Sequence, residues 1–326
     1  MRVPSDAEIL ADLRKAVADG SIHPANLEGL EGSGSRSDQM LSGLFRGLSL
    51  IARTLPRRFG YRLFGRVSQL AELVPKIRRE LNARFKIAFP EADATDLTRL
   101  RRQFWYQHGQ TLFEMFDYER FAAHIMDKVQ IEGKEHVDAT LAARRPLVLI
   151  HNHQTNSELM LNILYRIVGT KLSGIYAPLA IPQLQRRILH RRMQQGILLY
   201  PRNLRGGMKH MSANLAEGYP MIITLDQRVP GIWHPFFGKP ASSTVVPLVY
   251  AQRAGARIIP MDLARLDNQG HFKLTFHPSL IPDEGADEIK PEDLLTAYNT
   301  LLEGWIRERP ADWFWLHDRW KGSPES

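Results

Sequence analysis

The chain has 326 residues, 44% of them hydrophobic, and a formal net charge of +8. This length and composition suffice to bury one large core or two smaller ones. The absence of cysteine excludes disulfides, thiolate zinc sites and cysteine nucleophiles. Since no run approaches the roughly 18 apolar residues that cross a bilayer, no transmembrane helix is predicted. The N-terminal sequence lacks the apolar stretch of a secretory signal, so none is expected.

The positive charge is concentrated in one segment. Residues 41–90 contain eleven Lys or Arg against two acids, Glu72 and Glu80, so the rest of the chain is close to neutral. Such a segment predicts a surface for an anionic membrane or an acidic protein, and a solvated helical face is the simpler alternative. Nucleic acid is not an expected partner, because the segment lacks the interleaved aromatic residues of known nucleic-acid-binding modules.

The first 40 residues predict a short helix and a flexible linker. Ser5 and Glu8 have the spacing of a capping box, and Gly20 ends the apolar face that follows. The segment GSGSRS, residues 32–37, has the composition of a flexible linker. We therefore expect an N-terminal arm, residues 1–40, that is loosely attached.

Residues 41–125 predict a region of basic, amphipathic helices. Apolar residues recur at helical spacing up to about residue 120, with a break at FPEADATDL. A buried helix is the ordinary interpretation of such stripes, and the excess of arginine makes a membrane-surface helix the alternative. The apolar face of the first of these helices consists of Leu44, Phe45, Leu48 and Ile51.

From residue 126 to 322, short β-like runs alternate with helical ones. This alternation predicts an α/β fold, a central, mostly parallel (mixed) sheet flanked by helices, forming one compact unit with residues 41–125. A last helix is expected from about 291 to 308. Open sheets of this kind bind ligands at the C-terminal ends of their strands. The predicted strands are PLVLI (146–150), KLSGIY (171–176), ILLY (197–200), MIITL (221–225), RIIPMDL (257–263) and HFKLTFH (271–277).

The segment HNHQTNSE follows the first of these strands. His153 and Glu158 are five residues apart, so one continuous helix would place them on different faces, and they meet only if the chain turns between them. A polar loop and a helix capped by one of the residues 155–157 would supply that turn. A carboxylate that accepts one imidazole N–H leaves the other nitrogen as a general base. The segment therefore predicts a proton-transfer pair whose nucleophile belongs to the substrate.

Other interpretations of this segment stay open. Two histidines separated by one residue, His151 and His153, are a metal-ligand pattern and would indicate a metal-dependent hydrolase, with Asp226 as a candidate third ligand. His151 could equally make only a structural hydrogen bond at the end of a strand. The tryptophans at 313, 315 and 320 are expected to pack in the core or at an interface.

Several blocks of the sequence resemble a known family. His153 and Glu158 after a hydrophobic strand resemble the H-x4-D/E motif of the lysophospholipid acyltransferase superfamily. Over roughly residues 44–322 the chain more closely resembles the bacterial lipid A biosynthesis (lauroyl/myristoyl) acyltransferases. The blocks that carry this resemblance are LPRRFGYRLFGR, RFKIAFPEADATDLTRLRRQFW, GIYAP (174–178), the segment from YPRNLRGG to Asp226-Gln227, HPFFGKPASSTVVP and WFWLHDRWK.

The resemblance implies a fold like that of glycerol-phosphate acyltransferases and an O-acyltransferase activity. His153 would be the general base, oriented by Glu158. The acyl chain would arrive as a thioester on acyl carrier protein or CoA and move to a hydroxyl of a membrane lipid such as a lipid A precursor. No cofactor and no metal are expected. The protein would act peripherally at the cytoplasmic face of the inner membrane, on an anionic membrane surface.

The resemblance also implies further site residues. A guanidinium suits phosphate, so Arg202 is expected to hold a phosphate of the donor or the acceptor. The implied catalytic residues are His153, Glu158, Arg192 and Asp226, and the implied substrate-binding residues are Asn156, Arg191, Arg202 and Gln227.

Two departures from the family pattern concern the acceptor. The family usually has Gly-Asn-Trp where this chain has Thr155, Asn156 and Ser157. Its N-terminal helix is also more strongly apolar than the segment that Arg46 interrupts here. The non-enzymatic alternative is therefore a degenerate, membrane-bound adaptor of the same fold.

Overall fold

The computed structural model describes residues 4–30, 35–282 and 289–324. The helices are α1 (Asp6–Ala18), α2 (Arg36–Thr54), α3 (Arg57–Ser68), α4 (Pro75–Ala88), α5 (Ala94–Phe116), α6 (Tyr118–Ala123), α7 (Lys134–Ala142), α8 (Ser157–Val168), α9 (Pro182–Gln194), α10 (Gly207–Ala216), α11 (Val246–Arg253) and α12 (Pro291–Glu308). Short 3₁₀ turns occupy Pro24–Leu27 and Gln69–Leu73. The strands are β1 (Val129–Glu132), β2 (Leu147–His151), β3 (Leu172–Tyr176), β4 (Ile197–Pro201), β5 (Met221–Thr224), β6 (Ile232–Phe236), β7 (Lys239–Ser243), β8 (Arg257–Arg265) and β9 (Phe272–Phe276).

Seven strands form one sheet in the order β1-β9-β8-β2-β5-β3-β4. All neighbours run parallel except β8 and β9, which are antiparallel. The predicted α/β fold with a mostly parallel, mixed sheet is confirmed. The six predicted strands correspond to β2, β3, β4, β5, β8 and β9. Strand β1 and the β6–β7 hairpin were not predicted from the sequence.

Strand β2 lies in the middle of the sheet, and all five of its residues are buried. Its side chains alternate between two cores. Val148 and Ile150 belong to the core that contains the C-terminal helix α12, whereas Leu147 and Leu149 belong to the core against α8. Burial on both faces explains why the sequence of this strand is a continuous apolar run rather than an alternating one.

The basic region folds into helices α2 to α6. Helix α3 packs closely along α5, where Gly60 and Gly65 of α3 allow the rings of Phe113 and Tyr106 to approach its backbone. On α2, the ring of Phe45 lies 4.8 Å from that of Phe116, measured between centroids. The apolar face predicted for this helix is therefore divided, because Phe45 packs inward while Leu44 and Ile51 are more than half exposed. None of the described helices has both the length and the apolar character needed to cross a bilayer.

The N-terminal arm packs on the α/β core. The predicted capping box is present, since Ser5 Oγ accepts from the backbone N–H of Glu8 and the Glu8 carboxylate accepts from that of Ser5. One face of α1 contacts Leu189 of α9, and Asn26 donates to the carbonyl of Leu199 at 2.9 Å. The expectation of loose attachment is therefore wrong for the described part of the arm. The predicted linker falls partly on residues 31–34, outside the described residues, and its remainder begins α2.

Candidate active site

The register of the sheet brings His153 and Asp226 together. In the parallel pair β2 and β5, His151 lies opposite Thr224. Each chain continues two residues further, which places His153 opposite Asp226 just beyond the C-terminal ends of the strands. The two residues are 73 positions apart in sequence, and both follow strands at the centre of the sheet.

Asp226 holds His153 through both of its carboxylate oxygens. Oδ1 lies 2.7 Å from the imidazole Nδ1, and Oδ2 accepts from the backbone N–H of His153 at 2.7 Å. Because an ionised carboxylate only accepts hydrogen bonds, Nδ1 carries the proton and the lone pair of the neutral ring lies on Nε2. Gln227 Nε2 lies 2.9 Å from that nitrogen. The His153 side chain is 27% exposed and that of Asp226 is fully buried, so the imidazole is the solvent-accessible member of the pair.

The charges of the pair shift both pKa values. Burial by itself lowers the pKa of His153, but the charge and hydrogen bond of Asp226 raise it more, so that it lies above its ordinary value of 6.5. Burial by itself raises the pKa of Asp226. The charge and hydrogen bonds of His153, together with the indole N–H of Trp313, lower it more, so that it lies well below its ordinary value of 3.8. The site therefore contains an ionised aspartate beside a basic imidazole.

The C-terminal segment around Trp313 packs against the His153–Asp226 pair. Trp313 is buried and its indole N–H donates to Asp226 Oδ2 at 3.0 Å. Backbone contacts join the same segment to the loop after β2, with Gln154 bridged to Trp313 and Thr155 N–H donating to the carbonyl of Asp312 at 3.1 Å. Trp313 was expected to pack in the core or at an interface. It is buried, and it also fixes the aspartate.

Glu158 forms an ion pair with Arg192 instead of contacting His153. Arg192 Nε donates to Glu158 Oε2 at 3.1 Å, and its Nη2 contacts Oε1, so the pairing is bidentate. The Arg192 side chain is 17% exposed and the Glu158 side chain is 11% exposed. Burial raises the pKa of Glu158, but Arg192 lowers it more, to below its ordinary value.

The prediction that Glu158 orients His153 is therefore wrong. Glu158 lies in the first turn of α8 and its carboxylate is held by α9, while Asp226 occupies the imidazole Nδ1. Arg192 still acts on the site electrostatically, because its charge lowers the pKa of His153.

Asn156 fixes the start of α8. Its Oδ1 accepts from the backbone N–H groups of Glu158 and Leu159 at 3.1 and 3.2 Å, as an N-cap does. Its Nδ2 donates to the fully buried Glu114 at 2.9 Å, which also pairs with Arg265. With both ends of the side chain used by the protein, Asn156 positions the loop, and substrate binding by Asn156 stays a prediction.

Thr155 adopts a left-handed backbone conformation. Thr155 has φ of 55°, a region that glycine enters freely and β-branched residues rarely adopt. Its hydroxyl is buried and has no hydrogen-bond partner within the described residues. Threonine is therefore strained at the position where the family usually has glycine.

His151 is buried and neutral. Burial, together with the nearby charge of His153, lowers its pKa to about 4. Its ring nitrogen Nδ1 lies 3.2 Å from the carbonyl of Asn152, and its own carbonyl accepts from Tyr298 at 3.2 Å. Within residues 4–30, 35–282 and 289–324, no group of three or more His, Asp or Glu is arranged to hold a metal ion.

The predicted substrate-binding residues lie at different places. Gln227 contacts His153 directly. Arg191 contacts other groups, with its guanidinium 3.9 Å from the ring centroid of Tyr118 and 3.5 Å from Glu119. Arg202 is exposed at the end of the edge strand β4. Sequence reasoning missed Glu114 and Arg265, whose only signal was that of charged residues within otherwise apolar runs.

The sequence model described as bacterial lipid A biosynthesis acyltransferase matches residues 39–322. The chain belongs to this family. A search of curated proteins gave no significant match. Membership of this family gives the chain the family's general activity, acyl transfer in lipid A biosynthesis. The match leaves α1 outside its bounds and includes the whole sheet and the His153–Asp226 pair.

Proposed function

We propose that this acyltransferase moves a fatty acyl chain from an acyl thioester, on acyl carrier protein or CoA, to a hydroxyl of a lipid A precursor. The observation that carries the proposal is the 2.7 Å contact between Asp226 Oδ1 and His153 Nδ1, which leaves the lone pair of Nε2 as the base, in a side chain that is 27% exposed. No nucleophilic side chain is required, because the acceptor supplies its own hydroxyl.

In the proposed reaction, His153 Nε2 takes the proton of the acceptor hydroxyl while its oxygen attacks the thioester carbonyl carbon. The carbon–sulfur bond then breaks, and the imidazolium returns the proton to the leaving thiolate. Asp226 stabilises the imidazolium in between. Gln227 now lies against Nε2, so the acceptor hydroxyl takes the place of its amide.

Arg192 is assigned to the oxyanion. Its positive charge acts on His153, whose pKa it lowers against the larger effect of Asp226, and the same field favours the negative oxygen of a tetrahedral intermediate. Glu158 holds the guanidinium through two hydrogen bonds and so fixes the direction of that field. In this proposal the Glu158–Arg192 pair supports the reaction without touching the base.

The test is an acyl-transfer assay with lipid A precursor and acyl carrier protein or CoA thioesters, read by mass spectrometry of the lipid. His153→Ala should lower the rate by about 10²–10⁴-fold. A matched control is His271→Ala, because His271 also contacts an aspartate at 2.7 Å, but on the surface. Normal turnover by purified His153→Ala would refute the mechanism. Comparison of lipids from cells with and without the gene identifies the acceptor.

We further propose peripheral attachment to the anionic cytoplasmic face of the inner membrane. Eleven of the seventeen large hydrophobic residues exposed in the described structure lie between residues 40 and 74. Exposed basic residues, including Arg58, Arg62 and Arg66, lie in the same stretch. Each Lys or Arg near an anionic leaflet contributes about 1 kcal/mol, and the apolar side chains add burial that salt does not screen.

Vesicle flotation tests the attachment. Arg53 and Arg57 are partly buried, so replacement of Arg58, Arg62 and Arg66 by Gln is the informative change. It should reduce flotation with anionic vesicles that contain no carrier protein, and high salt should weaken but not abolish binding of the wild-type protein. Unchanged flotation would refute a membrane role for these charges and leave them to acyl carrier protein or to solvent.

A further inference from the structure

A basic groove lies beside α9, the helix that also carries Arg192. Its volume is about 760 Å³, and α1, α2, α6 and α9 contribute to its walls. His153 is not among its lining residues. Five guanidinium groups line it, those of Arg46, Arg53, Arg120, Arg187 and Arg191.

The carboxylates around the groove are fewer than the guanidinium groups. Asp6 of α1 pairs with both Arg46 and Arg187. Asp117 pairs with Arg120, and Glu119 lies 3.5 Å from Arg191. Asp12 lies 3.0 Å from His190, which also lines the groove. Four acids therefore stand against five arginines, and the groove keeps a net positive charge.

Two residues that line the groove each carry a donor with no acceptor among the described residues. The Nε atoms of Arg53 and Arg187 are buried and make no hydrogen bond within the described part of the chain. Buried donors are nearly always paired in folded proteins, because an unpaired one loses its hydrogen bonds to water without replacement. Planar guanidinium groups suit the oxygens of a phosphate, so an anion of that chemistry suits a groove that arginines line.

The rest of the groove is apolar. Ile9, Phe45 and Phe116 line it beside the arginines. Leu50 also lines it and is 69% exposed, which makes the groove continuous with the exposed hydrophobic residues of α2. This combination fits a ligand with a phosphate at one end and a hydrocarbon chain at the other.

We propose that the groove is a second binding site, for the phosphate group of a phosphorylated lipid, and that α1 closes it. This rests on the proposed function in that the lipid is of the class that the enzyme acylates. Arg191 lines the groove, and the next residue, Arg192, pairs with Glu158. Because α1 lies outside residues 39–322, the side of the groove formed by Pro4 and Ile9 comes from outside the part of the chain that matches the family.

Calorimetric titration with dodecyl phosphate, below its micelle concentration, tests the site. Arg53→Gln removes one charge and breaks no hydrogen bond of this side chain within the described structure, so the fold should persist, as circular dichroism checks. The loss of a charge-assisted hydrogen bond should weaken binding about tenfold or more. Arg53→Lys should lose less, because it keeps the charge. The control is Arg205→Gln, an exposed arginine elsewhere, which should bind as the wild type does.

The remaining arms identify the ligand. Dodecyl maltoside, with the same chain and no phosphate, and inorganic phosphate alone should each bind far more weakly. His153→Ala should bind dodecyl phosphate normally, which separates a failure of this proposal from a failure of the proposed function. Unchanged affinity in Arg53→Gln, or equal binding of dodecyl maltoside, would overturn the proposal. Displacement of dodecyl phosphate by coenzyme A would also overturn it and assign the groove to the donor.

Discussion

Replacement of Asp226 by Asn should inactivate the enzyme by changing the tautomer of His153. Two N–H donors, the backbone of His153 and the indole of Trp313, point at Oδ2, at 2.7 and 3.0 Å. In Asp226→Asn the amide oxygen must take this position, because the amide nitrogen cannot accept two hydrogen bonds. The amide nitrogen then replaces Oδ1 and donates to Nδ1 of His153. The imidazole proton moves to Nε2, and the base is lost.

The expected loss is about 10⁴-fold in kcat, the size typical when the carboxylate of a His–Asp pair becomes an amide and enforces the wrong tautomer. The pKa of His153 should also fall, since the charge and hydrogen bond of Asp226 are what raise it. Packing should change little, because the two side chains have nearly the same shape.

The assay is acyl transfer at saturating substrate, together with ¹⁵N NMR of the His153 ring, which distinguishes the two neutral tautomers. Asp267→Asn is the matched control, because Asp267 contacts His271 Nδ1 at 2.7 Å on the surface, and it should be fully active. Activity of Asp226→Asn within tenfold of the wild type, or a ring still protonated on Nδ1, would show that Asp226 does not set the state of the base.

Three other changes have expected outcomes. Thr155→Gly should keep activity and raise the free energy of unfolding by about 0.5–1 kcal/mol, because relief of the left-handed strain exceeds the entropy cost of glycine, and an unchanged denaturation midpoint would contradict this. Glu158→Gln should lower the free energy of unfolding by about 3 kcal/mol or more by leaving Arg192 unpaired, while an NMR titration should still find the pKa of His153 above 6.5. Because His151 has a pKa of about 4 in the folded protein against 6.5 unfolded, the unfolded chain binds more protons, and stability should fall by about 3 kcal/mol from pH 6.5 to 4. Denaturation of His151→Gln should lack this pH dependence.

The local pattern of the sequence determined most of the secondary structure. The continuous apolar run before HNHQTNSE predicted a buried strand, and β2 is buried along its whole length. The helix expected from about 291 to 308 is α12. These elements could be predicted because hydrophobic periodicity, caps and breakers act within a few residues. Strand β1 and the β6–β7 hairpin could not be predicted in this way. They are short and half-exposed, and their burial depends on neighbouring segments.

The N-terminal arm shows that packing between distant segments, too, could not be predicted from local patterns. Residue spacing correctly predicted the helix and the capping box of α1. Its attachment to α9 could not be predicted, because Leu189 meets the apolar side of α1 only in the folded protein. The basic region was likewise recognised from charge and periodicity. Which of its residues point outward was decided by the close packing of α3 on α5.

By itself, the sequence determined that His153 follows a buried strand and precedes a helix start that contains Glu158. The partner of His153 was decided only by the tertiary structure. Proximity in sequence favoured Glu158, but the cap at Asn156 directs that carboxylate toward Arg192. Asp226 reaches the imidazole because parallel pairing of β2 with β5 fixes which residues lie side by side beyond the strand ends. Strand register is a property of the whole sheet, since it depends on which strands pair and on the cores that cover both faces, and no local pattern contains it.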